Sequence, residues 1–202
     1  MNLIANISAI LTIAITYLCI RKGPQTKSFQ WIIWYCILNT IIEFISFILA
    51  EFKLSNLFIF QFLIIIESVI ILNYFKLVSI TVNKYTGNWL ILALTGLYLF
   101  QYNSLTNLNP FNAILEGMIV FTCSLTYLSD ELRIPKSNII VYEPNFWFVT
   151  AFLLYYGCTW LLLLCAQYVI TETNIFNYVW NVQNIFNIIK YIIIFLGIRF
   201  LK

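Results

Sequence analysis

Four ionisable side chains fall within long apolar stretches of the sequence, where a charge is costly. They are three acids and one base: Glu43, Glu67, Glu116 and Lys190. A charge at bilayer depth costs free energy unless it faces protein or water, so by default it marks a functional site. Three carboxyl groups and one ammonium cannot all stay ionised at low cost in a low dielectric. We therefore expect Glu43 or Glu116 to be protonated or to hold a cation.

The stretch Trp180–Lys190, in the middle of the last apolar segment, is the most polar of these regions. Its polar members are Asn181, Gln183, Asn184, Asn187 and Lys190. Each helical residue advances by about 100° around the helix axis, so four side chains of this stretch point in directions within roughly 80° of one another. The residues sharing that face are Trp180, Gln183, Asn187 and Lys190. This helix is therefore expected to present one polar face, with a cation on it, at membrane depth.

The other polar residues also follow helical spacing. In the second apolar segment Asn39 and Glu43 share a face with Tyr35 and Ser46, and in the fifth Asn112 shares one with Glu116. In the third, Glu67 lies on a face with Asn56 and Tyr74. Lipid cannot satisfy these groups, so the faces must point into a helix bundle.

Depth divides the polar residues into two layers. A rise of about 1.5 Å per residue places Glu67 and Lys190 roughly 17–22 Å below the outer ends of their spans, and Glu43 and Glu116 about 9–11 Å down. We predict a Glu67–Lys190 pair below an outward-facing pocket. The expected ligand-binding set is Asn39, Glu43, Glu67, Asn112, Glu116, Gln183, Asn184, Asn187 and Lys190. The alternative is that these groups only form interhelical hydrogen bonds, worth about 0.6–2 kcal/mol each.

Composition excludes a soluble globular protein. The 202 residues are 62% hydrophobic, 18% aromatic and 9% charged, with a mean hydropathy of +0.90, whereas soluble domains average about 25% charged residues. Long apolar runs recur along the chain and predict an all-α, polytopic bundle of seven transmembrane helices in a single domain, 1–202. The predicted spans are about 3–20, 29–50, 56–78, 88–103, 110–128, 145–170 and 175–200.

The distribution of Lys and Arg predicts the orientation of the bundle. Connections 1–2, 3–4 and 5–6 and the C-terminus hold nine basic residues: Arg21, Lys22, Lys27, Lys76, Lys84, Arg133, Lys136, Arg199 and Lys202. The opposite side holds only Lys53. By the positive-inside rule, the N-terminus is outside and the C-terminus cytoplasmic, in a cell inner membrane.

Several chemistries are excluded by the residues themselves. The chain has no histidine, which removes His-ligated zinc and Ser-His-Asp or Cys-His catalysis. The five cysteines all lie in apolar runs and are interpreted as small packing residues. No basic stripe indicates nucleic acid. We therefore expect no enzyme activity, cofactor or resident metal.

Four stretches together resemble a family of small, uncharacterised seven-helix membrane proteins of Bacteroidetes-type bacteria. They are Asn56–Phe75, Phe111–Tyr127, Phe146–Gly157 and Trp180–Gly197. The resemblance covers about two-thirds of the chain and implies the seven-helix membrane fold. That family has no established activity, so it implies no function for the residues above.

A lysine in the seventh helix is also similar to that of microbial rhodopsins, where it binds retinal. Those proteins carry an acid four residues earlier, and here that position is Phe186. The acids with adjacent arginine and tryptophan of the rhodopsin third helix are missing around Glu67. Retinal binding is kept only as a remote alternative.

Three classes of function fit these features. The leading hypothesis is a receptor-like or sensory module that binds a small ligand or cation and signals through a cytoplasmic or membrane protein by its largest connection, 129–144. The second is a small proton- or cation-coupled transporter that uses Glu67 and Lys190 as a titrating pair. A lipid-modifying enzyme ranks last, because metal ligands and an activated nucleophile are missing.

Overall fold

Helices account for nearly all of the described chain. The computed structural model describes residues 3–52, 57–100, 110–135, 139–169 and 173–201. Its helices are α1 Leu3–Lys22, α2 Lys27–Glu51, α3 Leu57–Val78, α4 Lys84–Phe100, α5 Pro110–Arg133, α6 Pro144–Val169 and α7 Thr173–Arg199, with a 3₁₀ turn at Ile140–Tyr142 before α6. The predicted all-α class is confirmed for these residues. The described helices follow the predicted spans, with two exceptions: α4 begins at Lys84 rather than at 88, and α5 continues to Arg133 rather than ending at 128, so the first residues of the predicted 129–144 connection are helical.

Within the described residues, five segments are long and apolar enough to cross a membrane. They are Leu3–Lys22, Lys27–Leu49, Phe111–Arg133, Pro144–Leu164 and Asn181–Arg199. Each has at least 19 residues, close to the number needed to span about 30 Å of hydrocarbon. These helices indicate a membrane-embedded protein.

Local sequence explains where the helices begin and end. Gly23 ends α1 with a φ of 72°, and its N–H donates to the Cys19 carbonyl at 3.2 Å, which is the usual left-handed glycine cap. Thr26 caps the start of α2, since its Oγ1 accepts from the Phe29 N–H at 3.1 Å. The Oδ1 of Asn83 accepts from the N–H groups of Tyr85 and Thr86 and caps α4.

Six of the helices form a closed ring. The neighbouring pairs are α1–α2, α2–α3, α3–α5, α5–α6, α6–α7 and α7–α1, while α4 packs against α3 from outside. Side-chain contacts fix the directions: Thr16 meets Thr40 across antiparallel α1 and α2, and Ser68 meets Glu116 across parallel α3 and α5. We call the end where α1 begins the N-terminal side, and the end where α7 finishes the C-terminal side.

Aromatic residues fill the ring toward its C-terminal side. Phe152 lies at the centre, with ring-centroid distances of 5.1 Å to Tyr35, 5.8 Å to Tyr74 and 6.3 Å to Phe75. All four side chains are at most 1% exposed. Close packing of this kind leaves little room for water. We call this cluster, together with the stacked pair Phe29 and Phe148, the aromatic plug.

Glycines let α6 approach its two neighbours closely. A Cβ added at Gly197 of α7 would lie 2.6 Å from the ring of Phe148, and one added at Gly117 of α5 would lie 2.6 Å from the Cβ of Trp160. Side chains at these positions would therefore force the helices apart. The small residues therefore let α7 pack closely on α6 at the level of the plug, and α5 pack closely on α6 nearer the N-terminal side.

Candidate functional site

Lys190 is a buried cation enclosed by tyrosines. Its side chain is 1% exposed, and its Nζ donates a hydrogen bond to the Tyr35 hydroxyl at 2.8 Å. The same nitrogen lies 4.0 Å from the ring centroid of Tyr155, 4.6 Å from that of Tyr191 and 5.1 Å from that of Tyr35. Ring faces attract a cation most strongly where water is excluded. Tyr35, Tyr155 and Tyr191 form what we call the tyrosine cage.

Glu67 of α3 lies in the same interior and is tied to α2. Its side chain is 6% exposed, and its Oε1 accepts a hydrogen bond from Asn39 Nδ2 at 3.4 Å. The same amide nitrogen donates to the backbone carbonyl of Tyr35 at 3.0 Å. Asn39 therefore joins the acid to the residue whose hydroxyl holds Lys190. The predicted inward polar face of α2 accounts for both contacts.

Glu116 of α5 is held by the residue next to Glu67. Ser68 Oγ donates to Glu116 Oε1 at 3.0 Å, and it also contacts the Ile64 carbonyl at 2.7 Å. Glu116 is 4% exposed. Asn112, one helical turn away on α5, is 2% exposed. The second carboxyl group therefore also receives a hydrogen bond from a neutral donor inside the ring.

Glu67 and Lys190 are buried in the same interior, where the sequence analysis predicts that they form an ion pair. Among the described residues, however, the hydrogen bond of the ammonium goes to Tyr35 rather than to a carboxylate. Glu67 and Lys190 are thus linked through Asn39 and Tyr35. Among the described residues, the interior holds one caged cation and two buried acids, Glu67 and Glu116, without direct charge pairing, while Glu43 is partly buried.

The remaining predicted residues of α7 do not share one environment. The side chain of Gln183 lies near that of Tyr155 and so borders the cage. The Nδ2 of Asn184 is buried and has no hydrogen-bond partner among the described residues. Asn187 instead faces α1, where its Nδ2 donates to Ser8 Oγ at 2.8 Å. This contact is interhelical bonding of the kind weighed as the alternative for the whole set.

Sequence reasoning missed two members of the tyrosine cage. Tyr35 was placed on the polar face of α2, but Tyr155 and Tyr191 were not singled out. Tyr191 directly follows the buried lysine, and Tyr155 belongs to a Tyr-Tyr pair in an otherwise apolar helix. Tyrosine hydroxyls within a membrane span can indicate residues of a polar site, but only the packing of the six helices shows which tyrosines contact Lys190.

On the C-terminal side, Asp130 fastens the end of α5 to the turn after α3. Its carboxylate accepts hydrogen bonds from Ser79 Oγ at 2.7 Å, from the N–H groups of Ile80 and Thr81 at 2.9 and 3.0 Å, and from Thr81 Oγ1 at 2.6 Å. Charge-assisted bonds of this kind are the strong ones. A movement of α3 relative to α5 would therefore displace Asp130, at the start of the 129–144 connection that is predicted to contact a signalling protein. Lys136, in that connection, lies outside the described residues.

One shallow groove lies away from these residues. It runs along α4 and is lined by Asn88, Ile91, Leu92, Thr95 and Gly96. None of the acids and none of the cage residues contributes to it. The groove is a feature of the outer helix and carries none of the chemistry described above.

No protein-family model, curated protein or solved structure matches the chain.

Proposed function

We propose that this chain is a receptor-like or sensory integral membrane module that binds a small polar ligand inside the helix ring. The observation that carries the proposal is the placement of Lys190, Glu67 and Glu116 in one enclosed interior, each held by a neutral hydrogen-bond donor or acceptor. Buried charges are costly to maintain without pairing, and inside a membrane they ordinarily serve a site. A bound polar ligand would supply the missing complementary charge.

The asymmetry of the ring supports binding from the N-terminal side. The aromatic plug closes the C-terminal side, and its members are almost completely buried. Glu43, Asn39 and Asn184, toward the N-terminal side, are only partly buried. We therefore propose that the ligand enters from that side, which the positive-inside bias places outside the cell inner membrane.

The hydrogen bonds suggest how occupancy would be transmitted. A ligand that engaged Glu116 would act on α5, and through Ser68 on α3. At their other ends the same two helices are joined by Asp130 at the turn after α3. A small shift between them would therefore alter the 129–144 connection, by which we propose that the chain contacts a signalling protein.

Ligand binding can be tested by thermal unfolding of the purified protein in nanodiscs. The probes are a panel of small amines, amino acids and short-chain carboxylates, each added separately. We expect one class to raise the melting temperature, and Glu43→Gln and Glu116→Gln to remove the increase. Glu51→Gln, at an exposed acid near the end of α2, is the matched control. Stabilisation that survives in both interior variants would contradict the proposal.

Orientation and signalling need separate measurements. Reporter fusions at both termini should place the C-terminus in the cytoplasm and the N-terminus outside. Co-purification after cross-linking in cells should capture a signalling protein, and Arg133→Glu should reduce the capture because Arg133 is exposed in the connection. If the wild type and this variant captured the protein equally, the proposal that the 129–144 connection contacts it would be wrong.

A small proton- or cation-coupled carrier is the second candidate. It is favoured by the burial of Glu67, Glu116 and Lys190 in one interior, because ionisable groups at bilayer depth serve proton relays. Proteoliposomes with an imposed pH gradient provide the test, with Glu67→Gln as the variant. Flux that disappears in the variant would favour a carrier over a receptor. The tightly packed plug argues for the receptor, since a carrier must open both sides.

A further inference from the structure

The structure brings together two cysteines that lie seventeen positions apart in the sequence. Cys19 near the end of α1 and Cys36 in α2 are both completely buried, and their sulfur atoms lie 3.9 Å apart. The sequence analysis interpreted these residues as packing. Because α1 and α2 pack together, the two thiols form a pair of soft metal ligands. Helical spacing within the sequence could not predict this pair.

From this pair we infer a binding site for a single soft monovalent metal ion, Cu(I), held between the two thiolates. Thiolates favour Cu(I) over harder ions. Among the described residues no cluster of three or more Cys, His, Asp or Glu side chains is present, so the site has two protein ligands. Zinc ordinarily takes four ligands in a structural site, and a two-thiolate site therefore discriminates against it.

Distance favours a metal over a disulfide at this position. With the Zn–S length of about 2.3 Å as a guide, two metal–sulfur bonds in a line place the sulfurs about 4.6 Å apart, so the observed 3.9 Å must widen by about 0.7 Å. A disulfide would instead require the sulfurs to close to about 2.05 Å, a movement of about 1.9 Å between two packed helices. The smaller movement is the easier one in a closely packed interior.

The surroundings leave the two sulfurs as the ligands. The hydroxyls of Thr16 and Thr40 lie 3.1 and 3.0 Å from the carbonyl oxygen of Cys36 and 2.7 Å from each other, so they already have hydrogen-bond partners. Cys36 directly follows Tyr35, whose hydroxyl accepts a hydrogen bond from the Lys190 ammonium at 2.8 Å. Binding converts two thiols and Cu⁺ into a bis-thiolate complex of charge −1 and releases two protons to the solvent. The caged ammonium offsets that negative charge.

The two thiols are distinct from the acids of the proposed ligand pocket, and Lys190 borders both sites. The thiols lie on α1 and α2, and Cys19 is one helical turn before α1 ends at Lys22. Changes at the acids and changes at the cysteines therefore test ligand binding and metal binding separately.

The test uses the full-length protein in nanodiscs, titrated anaerobically with Ag(I) and with chelator-buffered Cu(I). Native mass spectrometry should find one ion per chain, and X-ray absorption should show two sulfur neighbours. Cys19→Ser and Cys36→Ser should each abolish binding. Cys123→Ser and Cys158→Ser are matched controls at two other free thiols, and they should bind as the wild type does.

A further variant tests the role of the neighbouring cation. Lys190→Gln should weaken Cu(I) binding by about 10–100-fold, as loss of an outer partner of a metal site usually does, and should keep the two-sulfur signature. Thermal melts confirm which variants are folded. The inference is overturned if folded wild-type protein binds no ion, if binding survives in a folded Cys19→Ser variant, or if the sulfurs are found joined as a disulfide.

Discussion

The ammonium of Lys190 donates its hydrogen bond to the hydroxyl of Tyr35, 2.8 Å away, and not to any of the three acids in the same interior. This contact connects α7 to α2 across the centre of the ring. It also separates the buried cation from Glu67, which accepts a hydrogen bond from Asn39 instead.

Tyr35→Phe should destabilise the protein. The change keeps the ring of the cage but removes the oxygen that accepts from Lys190, and leaving a buried charged donor without its partner costs about 1–3 kcal/mol. Denaturant or thermal unfolding in a fixed detergent measures the loss. Tyr17→Phe is the control, because Tyr17 is 62% exposed and should give no change. Equal stability of the Tyr35 variant and the wild type would show that the hydrogen bond contributes nothing.

Ser68 and Glu116 should behave as a coupled pair. Ser68→Ala and Glu116→Met each remove the hydrogen bond between α3 and α5, so the double variant should lose less stability than the two single losses combined. We expect a coupling of about 0.6–1.7 kcal/mol, as for other interhelical hydrogen bonds in membranes. Strict additivity of the two changes would contradict the contact.

Asp130→Ala should loosen the turn after α3. The carboxylate accepts from the N–H groups of Ile80 and Thr81, so its removal exposes both amides to exchange. Hydrogen exchange measured by mass spectrometry should show protection at these residues falling by on the order of tenfold, since a hydrogen bond to a charged group is worth about 1.5–3 kcal/mol. Glu51→Ala, at an exposed acid at the other end of the bundle, should leave this exchange unchanged.

Gly197→Ala should lower the melting temperature, while Gly96→Ala should not. A methyl group at Gly197 meets the Phe148 ring at 2.6 Å, whereas one at Gly96 meets nothing within 4 Å. Overpacking a core typically costs about 1–3 kcal/mol, and alanine in an open helical position is favoured over glycine by about 0.5–1 kcal/mol. Thermal unfolding of both variants tests the pair. A stable Gly197 variant would mean that α6 and α7 can separate without cost.

Much of the fold follows from local properties of the chain. Apolar runs of helical length, the glycine after α1 and the prolines at the starts of α5 and α6 are sufficient to predict the described helices and most of their limits. The spacing of Asn39 and Glu43 on α2 likewise predicts an inward polar face. These features act over one or a few helical turns, so they can be read without knowing which helices become neighbours.

The sequence by itself determined that this is an apolar, all-helical chain with ionisable groups at bilayer depth, because period and hydropathy are local quantities. Only the tertiary structure decided the partners: that α4 lies outside the ring, that Lys190 meets tyrosines, and that Cys19 meets Cys36. Helices with similarly polar faces can pair with one another in several ways that differ little in free energy. The choice among them depends on the simultaneous packing of six helices, and contacts such as that of Phe148 with Gly197 resolve it.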